Sequence, residues 1–222
     1  MNCKRLNTIL LAMEKLIFVV FLLLFTQSAV SGSMNERVSE IEGSWADTRE
    51  IEATPERKNI FLQLVSDVTD VVVEFPSQAE PLILKSAILL TMAEDASSFV
   101  ALGLVNEAKD LLQKAIGINP EASKGSALVT LGVLYYKVPS WPIAFGDNDE
   151  AETYLLKALE VDPEGIGSNY YYGEFLLEQG KEEQAVSFLN KALGAEVDSN
   201  DNKAKIRMME QEKARAALAN IS

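Results

Sequence analysis

The sequence predicts an all-α solenoid made of stacked pairs of antiparallel helices. Three segments in the second half of the chain align with each other, with small and large apolar residues at the same spacing. Elsewhere, apolar residues recur at steps of three and four, which is the spacing of one helix face. Hydrophobic residues make up 48% of the 222 residues, which is enough for one domain with a sizeable core.

The three aligned segments are residues 107–120, 150–163 and 184–197. Each has alanine at its second place, leucine at its sixth, lysine at its eighth and alanine at its ninth. These residues are Ala108, Leu112, Lys114 and Ala115; Ala151, Leu155, Lys157 and Ala158; and Ala185, Leu189, Lys191 and Ala192. The alanines let a neighbouring helix approach, the leucines fill the space between, and the lysines are expected on a solvated face.

A glycine precedes each of the last two segments and marks the first helix of a pair. Gly173 stands 12 residues before Ala185, so we predict that the two helices of that pair cross closely there. Gly132 and Ser86 take the same place in the two earlier repeats. This layout resembles the tetratricopeptide repeat, which has a glycine in helix A, alanines in helix B and a terminal proline.

The first two repeats are longer than that motif. Pro76, Pro120 and Pro163 are spaced by 44 and 43 residues, against about 34 in the standard repeat. We expect long loops between helices A and B, over residues 94–102 in the first repeat and 138–146 in the second. An alternative register puts Ala96 at the glycine place of the first repeat and needs no loop.

Flanking segments complete the predicted organisation. The apolar stripe Phe61, Leu64, Val68, Val72 and Phe75 predicts a helix from Pro55 to Glu74. Residues 32–54 form a polar N-terminal segment, expected to hold a short helix and a loop. Residues 55–200 form the tetratricopeptide-repeat domain. Residues 201–222 form a C-terminal capping helix, in which Ile206, Met209 and Ala217 are expected to dock on the last repeat.

The N-terminus predicts export. Three basic residues precede the short apolar run Leu16–Phe25, and small residues follow it, as in a secretory signal peptide. We expect residues 1–31 to be the signal, with cleavage after Ser31 and a periplasmic product that starts from Met1 or Met13. The alternative is an uncleaved anchor, but a membrane span needs roughly 20 apolar residues.

The composition argues against most catalytic classes. The chain has no histidine and one cysteine, Cys3, so the usual acid–base, nucleophilic and zinc chemistries lack their residues. We therefore expect no enzyme activity, cofactor or metal. Signal cleavage removes three basic residues and one acidic residue, which takes the net charge from −13 to −15. Such a charge repels nucleic acid, so no nucleic-acid partner is expected.

Two strings carry a narrower resemblance. Residues 131–147 (LGVLYYKVPSWPIAFGD) and 169–176 (NYYYGEFL) resemble bacterial periplasmic repeat proteins that are similar to the T component of certain TRAP-type solute transporters. The resemblance implies association with a solute-binding receptor, and a homotrimer with ligand-sized pores. The sequence departs from the expected pattern at Ser140 and Ser86, where glycine is expected.

The inward-facing places of the three A helices form a candidate binding groove. They are Ile83, Ala87, Leu90, Val129, Val133, Tyr136, Tyr170, Glu174 and Leu177, of which Glu174 alone is charged. An apolar lining predicts an apolar small ligand or a segment of another protein. The alternative is that the C-terminal helix or a tight superhelix covers this face.

The loop that contains Trp141 is the second candidate site. Pro139 and Pro142 stiffen it, and Trp141 offers a large surface that suits a cavity wall or a partner anchor. The alternative, which we favour from sequence, is that Trp141, Ile143 and Phe145 pack back onto the helices. At the end of the loop, Asp147 is expected to cap the next helix rather than bind calcium.

Two functions are consistent with these patterns. The first is an exported repeat protein that binds a partner protein or an apolar small molecule, with a TRAP-type receptor implied by the resemblance. The second is an assembly module that binds proteins and no small ligand. An open apolar cavity in the groove favours the first function, and a filled groove favours the second.

Overall fold

The computed structural model describes residues 33–197 and 204–221. Within these ranges the chain is all-α, with nine α-helices, one 3-10 turn at Ala122–Gly125 and no strand. The expected signal peptide and its cleavage site lie outside the described residues. In the described part, none of the helices is long and apolar enough to cross a membrane. Residues 37–197 and 204–221 belong to one compact unit.

Six of these helices form three closely packed consecutive pairs, two helices precede these pairs and one follows them. They are α1 Met34–Arg49, α2 Pro55–Glu74, α3 Glu80–Glu94, α4 Ser98–Ile118, α5 Ser126–Lys137, α6 Asn148–Val161, α7 Ile166–Glu178, α8 Glu182–Gly194 and α9 Ala204–Ile221. The prediction of an all-α helical-repeat solenoid is confirmed.

The repeated alanines and leucines form the core of each pair. All nine are fully buried: Ala108, Leu112, Ala115, Ala151, Leu155, Ala158, Ala185, Leu189 and Ala192. A Cβ on Gly173 would lie 2.9 Å from Leu189 Cγ, and one on Gly132 would lie 2.7 Å from Leu155 Cγ. These distances confirm the close crossing predicted at Gly173.

The first repeat departs from the predicted loop. Asp95–Ser97 alone separate α3 from α4, so the loop expected over residues 94–102 is mostly helix. The alternative register is also wrong, because Ala96 lies in this turn while Ser86 is buried in α3. The segment that begins α4 (SFVALGLV) contains no proline and several good helix formers, so the helix starts early.

The extra residues lengthen both helices of this hairpin at their shared end. Ser86 stands eight residues before the end of α3, whereas Gly132 and Gly173 stand five residues before the ends of α5 and α7. Ala108 lies ten residues into α4, against three residues for its equivalents in α6 and α8. The α3–α4 hairpin therefore projects beyond the edge of the stack.

Helices α1 and α2 precede these pairs, and α2 packs on α3. The predicted helix Pro55–Glu74 has these bounds, with Thr54 as its N-cap accepting from the Arg57 amide at 3.2 Å. The buried Arg57 donates from Nε to the Thr48 carbonyl at 3.2 Å and pairs with Asp95 at 2.5 Å. The indole of Trp45 in α1 donates to the Thr91 hydroxyl in α3 at 3.1 Å.

Helix α9 packs against α7 and α8, as expected for a cap. Gln211 donates from Nε2 to the carbonyls of Ala192 and Ala195, at 3.0 and 2.8 Å, which occupies backbone acceptors at the end of α8. Ala217 packs against the core of the last repeat, as expected. The docking expected of Met209 is wrong, because this side chain is 46% exposed.

Candidate functional site

The nine predicted groove residues lie on the first helices of successive pairs. Ile83, Ala87 and Leu90 are on α3, Val129, Val133 and Tyr136 are on α5, and Tyr170, Glu174 and Leu177 are on α7. Val129 and Tyr170 are buried, and the other seven are half-buried. Val133 and Tyr171 of the next pair both pack against the buried cluster of Leu128, Val129 and Ala158. This face is therefore largely filled by contacts between neighbouring helices.

A polar network crosses the predicted groove. The hydroxyl of Tyr136 donates to Glu174 Oε2 at 2.6 Å, and that of Tyr170 donates to Oε1 at 3.3 Å. Lys137 Nζ lies 3.5 Å from Glu174 Oε1. The polar part of this face therefore lies between α5 and α7, where the hydroxyls of both tyrosines turn toward the Glu174 carboxylate.

The protonation of these tyrosines fits their role as donors. Burial, and next the nearby charge of Glu174, raise the pKa of Tyr136 and of Tyr170 well above the ordinary tyrosine range. Both hydroxyls therefore stay protonated over the physiological pH range and hold the Glu174 carboxylate between α5 and α7.

Elements from both ends of the chain face α7. A Cβ on Gly167, in the first turn of α7, would lie 3.4 Å from Glu210 Oε2 of α9. The charges of Glu210 and Arg49 both act on the phenol of Tyr171, and Lys205 of α9 pairs with Glu50 after α1. These contacts agree with the alternative in which a tight superhelix and the C-terminal helix cover this face.

A cavity of about 220 Å³ lies between α1 and α2 rather than in the groove. It is lined by Arg37, Glu40, Ile41, Asp67 and Asp70. Ligand pockets for small organic molecules usually measure about 300–1,000 Å³ and are mainly apolar. This cavity is too polar and too small for the apolar ligand that the sequence suggested. Within the described ranges, no group of three or more acidic, His or Cys side chains is arranged to hold a metal ion.

Residues 138–147 connect α5 to α6 and are here called the Trp141 loop. Backbone hydrogen bonds hold the two ends of this loop in place. The amide of Gly146 donates to the Pro139 carbonyl at 2.9 Å, and that of Asp147 to the Tyr135 carbonyl at 2.8 Å. A Cβ on Gly146 would lie 2.9 Å from the carbonyl carbon of Pro139, so glycine is required where the two backbones meet.

The tip of the Trp141 loop points into solvent. Trp141 is 85% exposed and Ile143 is 71% exposed, so the prediction that they pack back is wrong. Phe145 packs as expected, with its ring 5.5 Å from that of Tyr135 and Lys109 Nζ 4.6 Å from its centroid. Because Phe145 fills the apolar site beside α5 and the loop bonds to its own backbone, Trp141 is left in solvent.

Asp147 caps α6, as predicted. Its Oδ1 accepts from the amides of Asp149 and Glu150, at 2.9 and 3.1 Å. A carboxylate at this place satisfies free amides and complements the positive end of the helix dipole. The cap also fixes the end of the Trp141 loop to the start of α6.

Sequence reasoning missed one exposed apolar pair at the start of α4. Phe99 is 89% exposed and Val100 is 52% exposed. A signal was available: of the places that share the helix face of Phe99, only Leu102 is large and apolar, whereas Gly103, Asn106 and Asp110 are not, so the apolar stripe ends within one turn. Once α4 is assigned from residue 98, this pattern predicts a solvent-facing phenylalanine.

Comparison with known proteins agrees with this architecture. Residues 143–206 match a tetratricopeptide repeat family. A crystal structure of a thermophilic TPR protein from Thermus thermophilus is similar at 18% identity, with a TM-score of 0.53, over 71% of this chain and 75% of that one. At this identity the likeness concerns the fold.

Two crystal structures of MamA are also similar, with lower TM-scores. One is 20% identical with a TM-score of 0.45, over 71% of this chain and 72% of that one. The other is 20% identical with a TM-score of 0.44, over 67% and 74%. No protein with a curated description matches the chain. Stacked helical pairs with glycine crossings, the match of residues 143–206 and the Thermus structure together show that the described chain has the fold of a tetratricopeptide-repeat solenoid.

Proposed function

We propose that this protein binds another protein and that the Trp141 loop is its main contact. Tetratricopeptide repeats generally mediate protein–protein interaction, and residues 143–206 match such a repeat. The observation that carries the proposal is the 85% exposed Trp141 on a loop whose base is fixed by backbone hydrogen bonds. The filled groove and the small charged cavity favour this function over binding of an apolar small molecule.

The energetics of a fixed, exposed tryptophan suit an anchor. A tryptophan buries roughly 150–250 Å² when it enters a pocket, and tryptophan is enriched among the residues that dominate interfaces. Because Pro139, Pro142 and the backbone bonds already restrict the loop, binding loses less conformational entropy than it would with a mobile loop. One residue can then supply much of the affinity.

Site-specific photo-crosslinking tests this proposal. A photoreactive phenylalanine analogue is placed at position 141 in cells that make the protein naturally, and at Leu62 as a control. Leu62 is 49% exposed on α2, away from the loop. We expect a discrete adduct with another polypeptide from position 141 and none from position 62. No adduct from position 141, or equal adducts from both positions, would contradict the proposal.

The partner identified in this way then permits a quantitative test. We expect Trp141→Ala to weaken binding of the purified partner by about tenfold or more, whereas Leu62→Ala leaves it unchanged. Both variants should melt at the wild-type temperature, since both positions are exposed. An unchanged affinity of Trp141→Ala for the partner would show that the Trp141 loop is not part of the interface.

The resemblance of residues 131–147 and 169–176 supports a narrower proposal, in which the partner is the solute-binding receptor of a TRAP-type transporter. Calorimetric titration of the purified receptor from the same organism should then give saturable binding that Trp141→Ala weakens. If none of these receptors of the organism binds the protein, the Trp141 loop must contact a different partner.

We also propose export to the periplasm, on the basis of the three basic residues and the apolar run Leu16–Phe25. The mass of the protein isolated from the periplasmic fraction should correspond to a chain that starts at Gly32. A membrane-bound chain that retains Met1 or Met13 would support the uncleaved anchor instead. Native mass spectrometry of the same material would test the homotrimer that the resemblance implies and would detect any apolar ligand bound to the protein.

A further inference from the structure

We propose that the docking face spans two repeats and fits a partner whose apolar cleft is rimmed by basic side chains. The face joins the Trp141 loop to the projecting tip of the α3–α4 hairpin, residues 94–102, here called the hairpin tip. This inference rests on the proposed function and adds a second contact region and the charge of the partner.

The two inserts lie on the same edge of the solenoid. Each is at the connection between the first and second helix of its pair, and the two pairs are consecutive in the stack. Phe145 of the Trp141 loop packs against Lys109 of α4. From Lys109 to Phe99 is ten residues of one helix, a rise of about 15 Å. A standard interface of about 800 Å² per partner is wide enough to include both.

Both inserts present large apolar side chains to solvent. Phe99 and Val100 are 89% and 52% exposed at the hairpin tip, and Trp141 and Ile143 are 85% and 71% exposed in the loop. The next pair does not extend to this height, because α7 and α8 are joined by the short turn at residues 179–181. Grouped exposed apolar residues of this kind mark interaction sites, whereas single ones are ordinary.

Acidic side chains surround these apolar residues. Glu94 and Asp95 are exposed at the hairpin tip, and Asp147, Asp149 and Glu150 are exposed beside the loop. Arg57 pairs with Asp95, while Lys109 lies over the ring of Phe145, so these two cations do not neutralise the other four carboxylates. The four remaining carboxylates beside the exposed apolar residues favour a partner that carries lysine and arginine around its cleft.

The acidic charge of this face also favours one class of partner over others. A second copy that presented this face would bring acidic rims together, and the whole chain has a net charge of −13. An anionic lipid surface would be repelled in the same way. We therefore commit to a different protein, and treat a second copy and a lipid surface as outcomes that would overturn the inference.

Photo-crosslinking at Phe99, beside position 141, tests the two-repeat face in the full-length protein. The control is Val73, which is 74% exposed near the end of α2, at the opposite edge of the stack. We expect the polypeptide captured from position 141 to be captured from position 99 as well, and not from position 73. The partner peptides in these adducts should contain lysine or arginine next to apolar residues.

The failures of the two proposals are distinguishable. An adduct from position 141 without one from position 99 keeps the proposed function and overturns the two-repeat face. Adducts from neither position overturn both. An adduct at position 99 with a second copy or with lipid overturns the choice of partner.

Affinity for the captured and purified partner tests the charge. Phe99→Ala should weaken binding about tenfold, with an unchanged melting temperature because the side chain is exposed. The charge reversals Asp149→Lys and Glu150→Lys should slow association, and higher salt should weaken wild-type binding. If Phe99→Ala binds the partner as tightly as the wild type does, the hairpin tip is not part of the interface. If the affinity does not depend on salt, the partner's cleft is not rimmed by basic side chains.

Discussion

The concave face, by which we mean the face of the nine predicted groove residues, and the edge that bears the two inserts carry similar residue types but differ in how those residues are covered. On the concave face, Tyr136 reaches Glu174 in the next pair, and Tyr170 is buried. At the edge, Trp141 and Phe99 are almost fully exposed. The difference arises because the repeat supplies each concave residue with a neighbour in the next pair, whereas an insert projects past its neighbours. The two most exposed large apolar side chains of the described residues, Phe99 and Trp141, therefore both lie on inserts.

The two inserts reach that edge in different ways. In the first repeat the added residues lengthen α3 and α4, so Phe99 is held on a helix. In the second repeat Pro139 and Pro142 prevent helix formation, and the added residues form a loop that bonds to its own backbone. The edge is thus rigid in both repeats, and it should contribute little to folding but much to binding.

The largest effect on stability is expected at the covered face, from Glu210. The side chain is partly exposed, but its carboxyl turns inward over Gly167, and burial raises its pKa to about 7 against the opposing effects of Lys213 and Arg207. The pKa is raised in the folded state, so this group favours folding fully below pH of about 4.5, and the contribution is lost as the pH rises through about 7. The loss is on the order of 3 kcal/mol.

Glu210→Gln should remove this pH dependence, because the amide stays neutral. Urea unfolding from pH 5 to pH 8 should show the wild type losing stability relative to the variant as the pH rises. The titratable groups that interact with Glu210 are Tyr170 and Tyr171 from α7, and Lys213 and Arg207 from α9. Parallel pH profiles for the two proteins would show that the carboxyl is not buried by the cap.

The next largest effect on stability is expected at the glycines where the two helices of a pair cross closely. Gly132→Ala places a Cβ 2.7 Å from Leu155 Cγ and 3.3 Å from the Ala151 carbonyl, so the helices of that pair must separate. We expect a loss of about 1 to 2 kcal/mol in the free energy of unfolding. Gly103→Ala in α4 is the control, since nothing lies within 4 Å of its Cβ, and it should gain about 0.5 to 1 kcal/mol. Equal effects of the two changes would contradict the close crossing.

A smaller effect is expected from the tyrosine network. Tyr136→Phe removes the 2.6 Å bond to Glu174 and should cost about 1 kcal/mol of unfolding free energy. Tyr172→Phe is the matched control, because its hydroxyl reaches Glu152 at 3.3 Å and makes a weaker bond. Chemical denaturation measures both. A Tyr136→Phe variant as stable as the wild type would indicate that this hydroxyl is solvated rather than hydrogen-bonded to Glu174 across the groove.

The smallest effect on stability is expected at the edge. Trp141→Ala should change the unfolding free energy by less than about 0.5 kcal/mol, since an exposed side chain away from caps and cores contributes little. Thermal unfolding checks this value, with Phe145→Ala as the comparison, because Phe145 packs on Tyr135 and should be clearly destabilised when truncated. A large loss in Trp141→Ala would show that the tryptophan packs in solution and would remove the contrast between the face and the edge.

Sequence periodicity predicted the parts of the fold that repeat. Alanine and leucine spacing located the buried crossings, and Gly173 was correctly identified as a point of close approach, because packing geometry restricts residue size there. The inserts do not repeat, so periodicity did not determine their conformation. The helix that starts at Ser98 was missed, although its composition favours a helix, because the proline spacing suggested a loop.

The candidate site was only partly predictable for the same reason. The groove positions were correctly assigned to the A helices, but residue type alone did not show that Tyr136 and Tyr170 turn their hydroxyls to Glu174. The exposure of Trp141 depends on Phe145 taking the apolar site beside α5, and on the loop bonding to itself. Both features depend on tertiary contacts, which the local sequence does not encode.

Hydrogen exchange in the presence of the captured partner tests the central claim most directly, because it compares the edge with the concave face in one experiment. We predict that binding slows exchange of amides in residues 138–147 and 98–102, while amides of α5 and α7 exchange as in the free protein. Protection confined to α5 and α7, with residues 138–147 unchanged, would place the partner in the groove and contradict the account.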